Sequence, residues 1–361
     1  MRVSVAVLLL GAMCAAPVFG QGQGQGQTPP PPATDTVAPE IPGVVKGGTK
    51  VIVIKDDFQG TEGPIALPDG ALAFTEGGAN RITRIDRDDK VSVYRENANG
   101  SNALAFDSKG RMVSVQRGPA HVQIGVIGAK GAEATLADDF NGNPNDLVLA
   151  KNDGIYFTVP GPLSEAQAKG KGPSATPFVP AVYYIAPNSG RAVKVAEGIT
   201  NPNGIQLSPD ERTLYVNDTR GEYLIAMDVQ PNGTLGPKRN FAKYEGVQRE
   251  AQGVASGADG LAVDTEGRVY AATTVGVQVF SAQGQHLGTI PLSRAPQNLA
   301  FAGPDKKIKS QPITSESDDN RSNPSAEQID RESENEEPSG EYRRVVTNQT
   351  EQQKTARRQA L

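Results

Sequence analysis

Tryptophan is absent from this 361-residue chain, cysteine occurs once, histidine twice, and aromatic side chains fill only 5% of positions. The lone Cys14 leaves no intramolecular disulfide and no thiolate metal site. His121 and His286 are too few for a histidine-built zinc centre. With no G-x-S-x-G pentapeptide beside them, serine–histidine nucleophile chemistry has no candidate, and both read as surface or strand residues. The shortage of aromatics disfavours stacking platforms for bases and the aromatic walls of many polysaccharide sites. A formal net charge of -5, without a basic stripe, argues against a nucleic-acid partner. No Walker-type glycine loop is present, Gly170-Lys171-Gly172 being a chance fragment.

Long apolar runs are missing too. After Arg2, VSVAVLLL is followed by small residues up to Gly20, which predicts a secretory signal peptide over residues 1–20, too short and wrongly flanked for a membrane span. The expected location is secreted or periplasmic. Lipid attachment at Cys14 is the competing reading, which Met13 and Gly11 fit poorly. Residues 21–45 open with QGQGQGQTPPPPATDTVAPE and are expected to be a disordered tether. At the other end, residues 310–361 are Ser, Glu, Asp, Asn, Gln and Arg with almost nothing to bury, which predicts a disordered tail.

Between these ends one phrase recurs. Residues 201–219, NPNGIQLSPDERTLYVNDT, read as strand, tight turn, strand. Ile205 and Leu207 alternate with polar neighbours, Pro209-Asp210-Glu211-Arg212 carries turn chemistry, and Leu214-Tyr215-Val216 resumes an apolar run. TEGPIALPDGALAFT, SNALAFDSKGRMVSV, PNDLVLAKNDGIYFT, ADGLAVDTEGRVYAA and PQNLAFAGPDKK repeat it about every 40 to 57 residues, a spacing that fits the blades of a β-propeller. The expected fold is therefore all-β, a six-bladed propeller over residues 46–309. KVIVIKDDF precedes the first full copy, and residues 50–55 are the expected closing strand, lent to the last blade to remove an open edge. The sixth copy fails after Phe301, where Lys306-Lys307-Ile308-Lys309 stands in place of an apolar strand, so that blade is expected to be incomplete. Residues 160–180, PGPLSEAQAKGKGPSATPFVP, interrupt blade three as a long loop, either a substrate-contacting segment or a plain surface excursion.

Aligned, the copies place Glu62, Asn102, Asn145, Asn203, Asp259 and Gln297 in one column. Rotation about a propeller axis turns such a column into a ring round the channel mouth. At any single position, Asn or Asp before Gly is ordinary turn chemistry. Glu62 is not a turn former and Gln297 is a weak one, so that reading explains the set poorly. An oxygen-only ring with two carboxylates and several amides suits one hard divalent cation, Ca2+ first, with Zn2+, Mg2+ and Mn2+ also open. Such an ion could polarise a carbonyl or acidify a bound water, with a neighbouring carboxylate as base.

TEGPIALPDG, NPNDLVLAKNDGIYFT, NPNGIQLSPDERTLYVNDT and GADGLAVDTEGRVYAAT resemble, in this order, motifs of the gluconolactonase, regucalcin (senescence marker protein) and luciferin-regenerating enzyme family. The resemblance runs from about residue 51 to residue 307. It implies a six-bladed propeller with one divalent metal at the channel mouth and hydrolysis of a small-molecule lactone. It further implies Glu62, Asn203 and Asp259 as protein metal ligands, Asn145 beside metal and substrate, and Asp259 as general base. Asn102, in the same ring but outside that ligand set, is a further substrate-binding candidate. Family members that bind sugar lactones often carry an Arg just before the Asn of blade three, and Phe140-Asn141-Gly142-Asn143 holds none. The expected activity is that of a secreted, metal-dependent lactonase of gluconolactonase type. The alternative is a non-catalytic or degenerate propeller that binds a small ligand or protein partner around a structural metal.

Overall fold

The computed structural model describes residues 32–119, 121–128, 132–168, 177–250 and 253–303. β1 (Thr36–Val37) and β2 (Lys50–Val51) form an antiparallel pair. Five four-stranded antiparallel sheets follow, each a meander in chain order. Blade one is β3 (Thr61–Ala66), β4 (Leu72–Glu76), β5 (Arg81–Ile85) and β6 (Val91–Glu96). Blade two is β7 (Ser101–Phe106), β8 (Met112–Arg117), β9 (Val122–Ile127) and β10 (Ala134–Ala137). Blade three is β11 (Leu147–Leu149), β12 (Ile155–Val159), then helix α1 (Glu165–Ala168) in the connection, β13 (Ala181–Ile185) and β14 (Ala192–Glu197). Blade four is β15 (Pro202–Leu207), β16 (Thr213–Asp218), β17 (Tyr223–Asp228) and β18 (Arg239–Lys243). A small hairpin of β19 (Gln248–Glu250) and β20 (Gly253–Ala255) precedes blade five, which is β21 (Leu261–Val263), β22 (Val269–Thr273), β23 (Gly276–Phe280) and β24 (His286–Ile290). The first strands of successive blades touch one another, β3 against β7, β7 against β11, β11 against β15 and β15 against β21, so they line a common axis.

That placement explains the residue pattern. A strand in the middle of a blade is covered on both faces by its neighbours and has no reason to alternate. β12 (IYFTV), β22 (VYAAT) and β23 (GVQVF) bury every residue, whereas the outermost β6 (VSVYRE) buries none fully. The turns repeat as closely as the strands. Asp107 Oδ1 accepts the N–H groups of Lys109 and Arg111 at 3.0 and 2.8 Å while Oδ2 takes Arg111 Nε at 2.7 Å. Asp264 does the same for Glu266 and Arg268 at 3.0, 2.9 and 2.6 Å. The D-x-x-G-R phrase of blades two and five is thus one self-bonded hairpin end.

Among the described residues five four-stranded sheets, not the expected six, surround the axis. The sixth copy, described through residue 303, forms no strand, and its would-be second strand lies outside the described residues. The charged run Lys306-Lys307-Ile308-Lys309 lacks the apolar faces that a strand buried between two blades needs. The innermost place of a sixth blade is nevertheless filled. Gly260 N–H donates to Gln297 O at 2.7 Å, as Gly204 N–H donates to Asp259 O at 3.0 Å one blade earlier. Beyond it, Asn298 Nδ2 reaches Glu62 Oε2 at 3.2 Å, and Gly303 N–H reaches Gly70 O at 3.1 Å. Leu299 packs into the core of blade five, while Ala300 and Ala302 pack with Leu72 and Phe74 of blade one and with Phe58 just before it. The inner ring has six members although the sheets number five.

Residues 50–55 lend no strand to the last blade. Only Lys50–Val51 are extended into a ladder, and their partner is β1. Val53 N–H continues that hairpin by donating to Asp35 Oδ1 at 2.8 Å, and Ile52 and Ile54 stay exposed. The described part of residues 21–45 is also more than a tether. Ala38, Ile41 and Val44 are buried in one cluster with Tyr270, Val277, Val279 and Ile290 of blade five. A few apolar residues scarcely shift an average composition, yet against a ready-made apolar sheet face they bury fully. Thr36 Oγ1 donates to Pro291 O at 2.6 Å and Thr34 N–H to Ser293 Oγ at 3.0 Å, fastening the segment beyond β24. The expected signal peptide, the tether before residue 32 and the tail 310–361 lie outside the described residues. Among the described residues no helix is long and apolar enough to cross a membrane.

Candidate active site

The column residues stand where the inner strands begin. Glu62, Asn102 and Asn203 are second in β3, β7 and β15, and Asn145 and Asp259 each stand two residues before β11 and β21. The structure brings Glu62, Asn203 and Asp259 into one electrostatic group at this end of the axis. Asn203 Nδ2 donates to Thr219 Oγ1 at 3.0 Å, and its Oδ1 is buried with no hydrogen-bond partner. Asp259 Oδ1 is likewise buried and partnerless. Buried acceptors are rarely left so, because each forfeits its hydration without return. A cation would satisfy both.

The pKa values of the carboxyl groups here are raised, chiefly by burial. Burial pushes Glu62 up to about 7, with the charge of Asp146 adding to the rise and the Asn298 hydrogen bond and Arg117 opposing it. Burial also drives Asp259 well above the ordinary carboxylate range, and the charges of Glu62 and Asp146 drive it further, while Arg117 and a hydrogen bond from the Asn203 side chain oppose the rise. A divalent ion among them would reverse the sign of that local field. Among the described residues no three His, Cys, Asp or Glu side chains converge as a metal cluster; a cation here would have to draw on amide as well as carboxylate oxygens. Hard cations accept such sets.

Asn102, expected to face substrate, is spent inside the wall. Its side chain is buried, its Nδ2 donates to Asn145 O at 2.9 Å and Asn145 Oδ1 at 3.2 Å, and its Oδ1 accepts from Arg117 Nη2. Asn145 is itself held through its N–H to Thr158 O at 2.8 Å. Gln297 contributes its backbone carbonyl to Gly260. His121 and His286 lie exposed, as their sequence context predicts.

Three further residues belong to this end of the axis. One position after the column come Gly63, Ala103, Asp146, Gly204, Gly260 and Asn298. The glycines are required by crowding: a Cβ on Gly204 would lie 2.2 Å from Asp259 O, and one on Gly260 would lie 2.1 Å from Asn298 Oδ1. In the space they leave, Asn298 hydrogen-bonds Glu62 from one side and Asp146 from another. Burial pushes Asp146 up to about 7 against hydrogen bonds from Leu147 N–H, Ile205 N–H and Asn298. Shifting the alignment by one residue would have exposed this second layer. The third addition is Arg117, at the end of β8, the cation that opposes the rise of both Glu62 and Asp259. It comes from blade two rather than from the segment before Asn145. Gln167 of α1 donates to Arg117 O at 3.0 Å and to Asn143 Oδ1 at 3.2 Å, so the described part of the blade-three excursion rests on the residues around the mouth.

Comparison with known proteins places these features in a wider set. Residues 60–308 match the family described as SMP-30/Gluconolactonase/LRE-like region. A gluconolactonase of Zymomonas mobilis subsp. mobilis is 26% identical over 280 residues, covering 70% of this chain and 75% of that protein. A solved gluconolactonase from Xanthomonas campestris superposes with a TM-score of 0.59 at 26% identity, covering 76% of this chain and 92% of its own. Regucalcin from Agrobacterium tumefaciens, a calcium-binding protein, shares the fold with a TM-score of 0.53 at 21% identity, covering 68% of this chain and 79% of its own.

Proposed function

The chain belongs to the SMP-30/gluconolactonase/LRE-like family, and from that premise we propose that it is a lactonase that opens a small cyclic ester at the axial mouth with one divalent cation, Ca2+ first, held by Glu62, Asn203 and Asp259. The observation that carries the site is the pair of buried, partnerless acceptors, Asn203 Oδ1 and Asp259 Oδ1, beside the Glu62 carboxylate. The fold of a calcium-binding neighbour supports the choice of ion.

When bound, a divalent ion supplies Lewis-acid polarisation of the lactone carbonyl and a more acidic water. Asp259 takes the proton from the attacking water at its carboxylate. The ring C–O bond then breaks, and the same proton passes to the departing alkoxide oxygen, so lactone plus water gives one hydroxy acid. Asn145 orients the substrate. Asn102 holds Asn145 Oδ1 and thereby leaves the Asn145 Nδ2 hydrogens as the donor offered to substrate oxygens. The leader-like residues 1–20 support a secreted or periplasmic location for this chemistry.

Acid release from glucono-1,5-lactone and from a panel of aliphatic lactones tests the reading. Turnover should vanish in EDTA-treated protein and return with Ca2+, Mg2+, Mn2+ or Zn2+. Full turnover without any cation would remove the metal, and no turnover on any lactone with any of the four would remove the activity.

A further inference from the structure

The recurring phrase ends in Asn217-Asp218-Thr219, and each of these three side chains holds a different part of the candidate site. Asn217 is fully buried; its Nδ2 donates to the carbonyls of Asp259 and Gly260 at 2.6 and 3.1 Å, and its Oδ1 accepts the Tyr244 hydroxyl at 2.8 Å. Asp218 accepts the N–H groups of Thr200 and Asn201 at 3.0 and 2.9 Å, the residues that lead the chain into Asn203. Thr219 Oγ1 donates to Ala258 O at 2.7 Å and accepts from Asn203 Nδ2 at 3.0 Å. One tripeptide therefore grips the backbone of Asp259, the approach to Asn203, and the Asn203 side chain.

The Thr219 bond fixes more than a position. A hydroxyl has a single hydrogen, and this one is committed to Ala258 O, so toward Asn203 the oxygen can only accept. It must meet the NH2 end of the amide. The amide oxygen is left on the other side, where Oδ1 lies buried without a partner. A reversed amide would aim two N–H hydrogens at the place a cation is to occupy.

We propose that Thr219 is a positioning residue that locks the Asn203 amide oxygen-inward, and that Asn217-Asp218-Thr219 sets the spacing of Asn203 and Asp259 before any cation arrives. The proposal rests on the reading of Asn203 and Asp259 as cation ligands. Outer partners of this kind typically alter metal affinity by about 10–100-fold.

Calorimetric titration of the full, EDTA-treated chain with Ca2+ tests it without recourse to turnover. Thr219→Val keeps the shape and removes the hydroxyl, and it should weaken the Kd by about tenfold or more, while Thr219→Ser should stay within about threefold of wild type. The decisive comparison uses the Asn203→Asp background, where both ends of the side chain are oxygen and no flip exists to be set. There Thr219→Val should cost less than about threefold, a non-additivity that a merely structural hydroxyl would not produce. If Thr219→Val does not fold, Thr219→Ala is read in the same two backgrounds. Equal penalties in both backgrounds, or an unchanged Kd in Thr219→Val, would overturn the proposal while leaving the cation site standing. A wild-type chain that binds none of Ca2+, Mg2+, Mn2+ and Zn2+ would overturn both.

Discussion

Asn298 donates from Nδ2 to Glu62 Oε2 at 3.2 Å, joining residues 236 positions apart and closing the inner ring where the last copy meets the first. Because the same amide also bonds Asp146, its loss leaves two buried carboxyl groups short of a donor. Asn298→Leu, close in volume, is expected to lower stability by about 1–3 kcal/mol, seen as a lower urea midpoint at constant slope. A midpoint equal to that of wild type would show that the ring is held shut by the backbone bonds alone.

The segment covering blade five makes a separate prediction. Ile41 is 1% exposed in the cluster it shares with Tyr270 and Val279, whereas Val37 on the neighbouring strand is 56% exposed. Ile41→Ala should cost about 2–5 kcal/mol, the usual range for a buried large-to-alanine change, and Val37→Ala about 0.5 kcal/mol or less. Equal urea midpoints for the two variants would return residues 32–45 to the status of a tether.

Glu76 provides a pH dependence whose sign is fixed by its surroundings. Its side chain is fully covered, and it accepts Arg81 Nε at 2.8 Å, Arg81 Nη2 at 3.1 Å, Gln59 N–H at 3.0 Å and the Thr83 hydroxyl. Burial pushes its pKa up, but the donors from Arg81, Thr83 and Gln59 outweigh it and hold the carboxyl below the ordinary value of 4.5. A carboxyl lowered on folding adds stability that is complete above its unfolded pKa and is lost as pH falls through its folded pKa. Melting temperature should therefore drop on acidification below 4.5, and Glu76→Gln should both lower the neutral-pH value and flatten that acid limb. An acid limb of the same depth in Glu76→Gln would assign the loss to other carboxylates.

How far the sequence carries depends on whether a feature is local. Turn phrases such as D-x-x-G-R are complete within five residues, and the two in blades two and five form the same hydrogen bonds. The column is nearly as legible, because Glu62, Asn203 and Asp259 sit at the head of inner strands that the repeat itself announces. Blade count is less so. The sixth copy supplies an inner segment in register, which needs only a few residues and one carbonyl for Gly260, and the described residues hold no further strands behind it. Asp146 and Asn298 are invisible for a different reason. Asn298 sits in space left by Gly260 on another blade, and no local pattern records that. For Asn102 the ring position is evident in sequence, while the claims of Arg117 and Asn145 on its amide are not.

The proposed mechanism makes Asp259 both ligand and base, and a single substitution separates the two roles. Asp259→Asn keeps the shape and one oxygen able to face a cation, but it removes the negative charge and the proton acceptor. The backbone should stay in place, since Asn217 Nδ2 and Gly204 N–H bind the Asp259 carbonyl rather than its side chain. Ca2+ binding should weaken, because a neutral amide replaces one of the two carboxylates in the set. With cation raised to saturation, kcat on a lactone substrate should still fall about 10²–10⁴-fold, the usual size of a general-base contribution. Asn102→Ala is the instructive contrast. It frees Asn145 and Arg117 without touching the base, so it should act mainly on KM. If saturating cation restores the full wild-type rate to Asp259→Asn, Asp259 serves as ligand only, and the proton leaves the attacking water by another route.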